Sequence, residues 1–130
     1  MEIGHKEGQA TNYEDLGTLL CSLGEYQKAK EYCEKALVIS MEIGNKDGQA
    51  TDYGILGTML CSLGEYQKAK EYCEKALAIK MQIGDKEGEA AAYVNLGKVL
   101  RSLGEYQKAK EYYEKALAIQ MQIEIGRAHV

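Results

Sequence analysis

With 130 residues, 16 basic and 20 acidic side chains well mixed along the chain, and a net charge of -4, the sequence can fill one domain but carries no electrostatic footprint for nucleic acid or for an anionic membrane. No apolar run approaches the roughly 20 residues of a membrane helix, and the opening Met-Glu-Ile-Gly-His-Lys has no apolar stretch of the kind a signal peptide needs. Proline is absent, which suits a nearly all-helical chain because proline breaks helix interiors.

The first helix is predicted over residues 6–22, where Ala10, Tyr13, Leu16, Gly17, Leu20 and Leu23 recur at three- and four-residue steps. Leu23-Gly24-Glu25 follows, with a glycine placed to close the helix in the left-handed conformation. A second helix is predicted over 25–43 from Tyr26, Ala29, Tyr32, Cys33, Ala36, Leu37 and Ile43, and so short a turn makes the two an antiparallel pair. Ile43-Gly44-Asn45-Lys46 then ends one helix and caps the next, since an Asn or Asp side chain accepts a bond from a free backbone N–H. The pattern recurs, predicting helices over 46–62, 65–83, 86–102 and 105–123, with Ile83-Gly84-Asp85-Lys86 as the second such turn. His5 holds the capping place in the first copy and is a poorer cap. Glu31 and Lys35, with their counterparts, are expected to pair four residues apart on an exposed face.

Residues 1–40, 41–80 and 81–120 align without a gap; the first two blocks agree at 32 of 40 positions and the second and third at 27. The run Ser-Leu-Gly-Glu-Tyr-Gln-Lys-Ala-Lys-Glu-Tyr is unchanged at 22–32, 62–72 and 102–112. A period of this length belongs to helical solenoids, in which each unit buries its apolar side against the next and three units is about the minimum. Gly17, Ala29 and Ala36, with their copies, are expected to bring backbones close, with Tyr13 and Tyr26 filling the space beside them. Cys21 and Cys61 are equivalent, as are Cys33 and Cys73. Helix spacing of about 8–10 Å holds equivalent cysteines too far apart for a disulfide, so all four read as free thiols in a reducing, cytoplasmic setting. No second ligand lies at zinc spacing.

Met1 aligns with Met41, Met81 and Met121, so the start is expected to be an internal methionine of a longer array. At the other end the repeat demands Gly-Asp after Ile123, whereas the chain reads Glu-Ile-Gly-Arg-Ala-His-Val. Ile-Gly-Arg-Ala-His-Val is the translation of a common sequencing adapter, and residues 124–130 are expected to be a non-repeat tail of read-through origin. With no polar cap on its terminal units, the chain is expected to self-associate weakly end to end.

Catalysis needs convergent groups. The only histidines are His5 and His129, and no nucleophile has a histidine beside it at helical spacing. Phosphate-binding and dinucleotide fingerprints are missing. The chain is therefore read as a non-enzyme with no cofactor and no metal.

The third copy carries Tyr93, Leu96, Gly97, Leu100, Gly104, Tyr106, Ala109, Tyr113 and Ala116 in the pattern of the tetratricopeptide repeat family, which residues 1 to about 123 resemble. The proline that often ends the family's second helix is missing and the unit is longer. That looks like the Leu-Gly-Asn subtype found in modulators of G-protein signalling. Its cue is Asn95-Leu96-Gly97, against Asp15-Leu16-Gly17 and Ile55-Leu56-Gly57 in the earlier copies. The resemblance implies an all-α fold: an α-solenoid of three stacked antiparallel helix hairpins in a right-handed superhelix, with a concave face lined by the first helix of each unit. The lining positions it implies are Thr11, Glu14, Thr18 and Cys21; Thr51, Gly54, Thr58 and Cys61; and Ala91, Val94, Lys98 and Arg101. This stripe passes from acidic through neutral to basic. Of the lysine and asparagine positions with which some members grip a C-terminal carboxylate, only Lys98 is suitable. The expected function is a protein-interaction scaffold binding a peptide or helix that has an acidic portion, within a longer array; the alternative is a structural spacer without a ligand.

Overall fold

The computed structural model describes residues 3–128, all helices and short turns. The elements are α1 (Ile3–Ser22), α2 (Tyr26–Glu42), α3 (Lys46–Ser62), α4 (Tyr66–Ile83), α5 (Lys86–Ser102) and α6 (Tyr106–Ala128). Each helix packs on the next, and α3 also touches α1 and α5, whereas α2, α4 and α6 do not meet one another. The odd-numbered helices therefore form an inner layer and the even-numbered ones an outer layer of an all-α solenoid of three stacked hairpins.

Every turn is built the same way. Glu25 N–H bonds Leu20 C=O at 2.8 Å and Gly24 N–H bonds Cys21 C=O at 3.0 Å, a Schellman closure that satisfies two otherwise free carbonyls. It needs a residue at positive φ, and Gly24, Gly44, Gly64, Gly84 and Gly104 all lie between 69° and 80°. At the two turns between repeats, the residue after glycine also opens the next helix. Asn45 and Asp85 accept from Gly48 and Gly88 N–H at 3.0 and 2.9 Å.

Two helix ends differ from expectation. His5 is no cap but lies within α1, which is already helical at Ile3. The Ile-Gly pair that forms a turn at 43–44 is helical at 3–4. At the other end α6 continues past 123 to Ala128, because Glu124 stands where Gly44 and Gly84 close the earlier copies, and a good helix former continues the helix. Met1, Glu2, His129 and Val130 lie outside the described residues.

Small residues sit at the helix contacts. Ala29, Ala69 and Ala109 are 0–4 % exposed, and Cys33 and Cys73 press their sulfurs toward Gly17 and Gly57. Leu56, Met59, Leu60, Leu96 and Leu100 are fully buried, each worth about 1.5–3 kcal/mol against exposure. Tyr13 stacks on Tyr32 across the hairpin, their ring centroids 5.9 Å apart; Tyr53–Tyr72 and Tyr93–Tyr112 repeat this at 5.7 and 5.6 Å. Lys35, Lys75 and Lys115 lie over these pairs at 5.1–5.7 Å. They are therefore drawn to the rings and not to Glu31 and its counterparts, with which the described residues form no ion pair. A ring face that fixes the lysine at both aromatics outcompetes an exposed pair worth a few tenths of a kcal/mol.

Candidate functional site

The two junctions between repeats share their apolar contacts but differ in their polar groups. Position 40 of the repeat is Ser40 at the first junction and Lys80 at the second. Lys80 Nζ bonds Asp47 at 2.7 Å and Asp85 at 2.9 Å. Burial opposes its charge, yet those two carboxylates outweigh burial and hold its pKa above the ordinary lysine value. Asp85 is shifted down, first by the Gly88 N–H and then by Lys80.

At the first junction Asp52, on α3, is wholly buried. Its Oδ2 accepts from Ser40 Oγ at 3.0 Å, while Oδ1 finds no donor. Beside it stands Glu14 of α1, half-buried. Burial first, and then the Glu14 carboxylate, raise the Asp52 pKa to about 8. Protonating Asp52 removes both the cost of burying its charge and its repulsion from Glu14. The thiols of Cys33 and Cys73 are pushed up to about 12 and about 11, chiefly by burial, and are held as unreactive SH groups.

The stripe named from the family pattern runs along α1, α3 and α5. Thr11, Thr51 and Thr58 are exposed, and each hydroxyl donates to the carbonyl four residues earlier. Thr18 is exposed, Cys21 and Cys61 are half-buried, and Glu14 is drawn toward Asp52. Gly54, Thr58 and Ala91 line a cleft of about 360 Å³ between the second and third repeats. A second cleft of about 180 Å³ continues past it along Thr58, Cys61 and Lys98. Val94 leans on the Ala90, Tyr93 and Ala116 cluster. Lys98 and Arg101 are exposed and form no ion pair among the described residues.

Three residues on or just beneath this surface were not in the family-derived set: Asp52, Ala92 and Asn95. Ala92 and Asn95 line the larger cleft. The signal was present in the variation between copies, since Asn12, Asp52 and Ala92 are equivalent, as are Asp15, Ile55 and Asn95. No group of three or more metal-ligating side chains occurs among the described residues, and no described helix is long and apolar enough to cross a membrane.

The sequence profile of the tetratricopeptide repeat matches residues 8–79 and 49–122. No curated protein sequence matches. Among solved structures, the TPR domain of Arabidopsis FLU aligns at a TM-score of 0.84 and 22% identity, over 90% of this chain and 98% of that one. BtubC (BKLC) of P. vanneervenii aligns at 0.85 and 25% identity over 93% of this chain, which spans about half, 51%, of that chain. A Rap protein complexed with Competence and Sporulation Factor aligns at 0.81 and 24% identity over 94% of this chain and 33% of that one.

Proposed function

The chain belongs to the tetratricopeptide repeat family, a family of protein-interaction scaffolds, and on that premise we propose that its own task is to bind a peptide or helix on the inner face formed by α1, α3 and α5. One observation supports this above the others: along that face Glu14 gives way to small side chains and then to the cations Lys98 and Arg101, which form no ion pair among the described residues. A ligand with an acidic portion at the third repeat complements that order. On this reading the chain works by binding and not by catalysis. Free, unreactive Cys33 and Cys73 thiols suit the reducing interior of the cell, and we place the protein in the cytoplasm.

The test is a pull-down with the parent chain and with Lys98→Glu plus Arg101→Glu. The double reversal is expected to lose partners that the parent retains. If the captured set is unchanged, the basic end of the groove is not a contact. If the parent captures nothing through the groove, the chain is a structural spacer.

We also propose weak end-to-end association of the 130-residue chain. Leu16 and Leu19 are 40 and 56 % exposed, whereas their counterparts Leu56 and Met59 are fully buried; Tyr106 and Leu117 at the far end are 68 and 55 % exposed. Faces of this kind invite one another. Sedimentation is expected to show mass rising with concentration and falling back to monomer in Leu19→Glu. A strictly monomeric profile at high concentration would overturn it.

A further inference from the structure

Resting on the groove reading above, the identity of the ligand is written in the difference between the two junctions. Where the first carries Glu14, Thr51 and Asp52, the second carries Gly54, Ala91 and Ala92. Two carboxylates and a hydroxyl are missing from matching places, and the cleft of about 360 Å³ lies there. Its walls include Ala50, Ile55, Ala76, Ala91 and Ala92, and the hydroxyls of Thr51 and Thr58 that also line it are each spent on a carbonyl of their own helix. The cation at its edge, Lys80, is already held by Asp47 and Asp85. A carbon-lined hollow with its charge neutralised takes an aliphatic side chain, not a polar one.

Asn95 lies between this cleft and the next, lining both. It is half-buried, and its amide bonds no protein group among the described residues. An amide donates and accepts, which matches the free N–H and C=O of extended backbone; a helical ligand keeps those groups for itself. Lys98 follows Ala91 by seven residues on the same helix, about 10 Å at 1.5 Å per residue. An extended strand covers that in about three residues at 3.3 Å each, and reaches Arg101 in about four or five.

We infer that the ligand is an extended peptide segment that puts one aliphatic side chain, Leu, Ile, Val or Met, into the cleft beside Gly54 and Ala92, bonds its backbone to Asn95, and carries Asp or Glu about three to five residues away, over Lys98 and Arg101. The occupant is thus an aliphatic–acidic strand, distinct from an amphipathic helix or a basic peptide.

The experiment is selection of random short peptides on the parent chain, followed by affinity measurement of an enriched peptide on Gly54→Leu. A Cβ at Gly54 meets nothing within 4 Å, so leucine there fills the cleft without a clash and replaces a helix-weakening glycine. The expected result is enrichment of the aliphatic–acidic spacing and a roughly tenfold or greater loss of affinity in Gly54→Leu, at a melting temperature no lower than the parent's. Ala91→Leu, at an exposed rim position, serves as the second cleft-filling variant and is expected to lose affinity likewise. If both cleft variants bind as the parent does while Lys98→Glu with Arg101→Glu loses binding, the cleft assignment is overturned and the groove reading stands. Enriched peptides that are basic, helical or without an aliphatic residue overturn it as well. If nothing is enriched, or no groove variant matters, both fall.

Discussion

Gly57→Leu is expected to melt about 10 °C or more below the parent. A Cβ at this position would meet Cys73 Sγ at 2.6 Å and Ala69 C=O at 3.4 Å, and leucine adds three further carbons. The sulfur belongs to a buried side chain and the carbonyl to the backbone of α4, so neither can withdraw without moving the helix. Overpacking of a filled core costs about 1–3 kcal/mol and occasionally more. In a chain of this size each kcal/mol is worth several degrees. The contrast is with Gly54, one turn earlier on the same helix, where a Cβ meets nothing and leucine is expected to leave the melting temperature unchanged or raised. Gly57→Ala combined with Cys73→Ala is expected to regain much of the loss seen in Gly57→Ala alone, since it removes the sulfur the new methyl would strike. Thermal melts by circular dichroism check all of these, and a Gly57→Leu chain that unfolds with the parent would mean that α3 and α4 are not packed at this distance.

The second large effect concerns Asp52 and pH. In the folded chain its pKa is raised from 3.8 to about 8 by burial and by Glu14, so between those values the native state holds a proton that the unfolded chain has released. Native proton binding in excess of unfolded means that stability falls as pH rises. The contribution is whole below about pH 4 and is lost as pH passes through about 8. The groups facing Asp52 are Glu14 from α1, Ser40 from the end of α2, and Cys33, whose thiol stays protonated throughout this range. The limiting slope for one proton is about 1.4 kcal/mol per pH unit. Asp52→Asn keeps an oxygen for Ser40 Oγ and offers an NH2 to Glu14. It is expected to flatten the slope between pH 5 and 8 and, by satisfying a buried atom worth about 1–3 kcal/mol, to raise the melting temperature at pH 8 by several degrees. Parallel pH profiles for the two chains would show that Asp52 holds no proton at this junction.

Copy-to-copy comparison carried much of the architecture. Gly24 and its four counterparts each stand one or two residues past a helix, and a left-handed closure there admits little else. Asn45 and Asp85 are short acceptors placed where a free N–H opens the next helix. These are local rules, so the turns and caps could be read from neighbouring residues. The same rules misjudged the chain ends: His5 lies within α1, and α6 runs on because glycine is replaced by Glu124. They also misjudged Lys35, since its competition between Glu31 and the Tyr13–Tyr32 rings depends on where a second helix holds Tyr13.

Of the inner surface, the stripe positions followed from the family pattern, but their environments did not. No sequence rule says that Glu14 and Asp52, 38 residues apart, share one buried space, or that losing both at Gly54 and Ala92 opens a cleft instead of letting the helices close in. By itself the amino-acid sequence determined the period, the helices, the turns between them and the stacked all-α class, because each of these depends on contacts within one repeat unit or on its repetition. The burial of Asp52 beside Glu14, the aromatic seats of the lysines and the hollow beside Asn95 were decided only by the tertiary structure, because each arises where side chains from different helices compete for one volume.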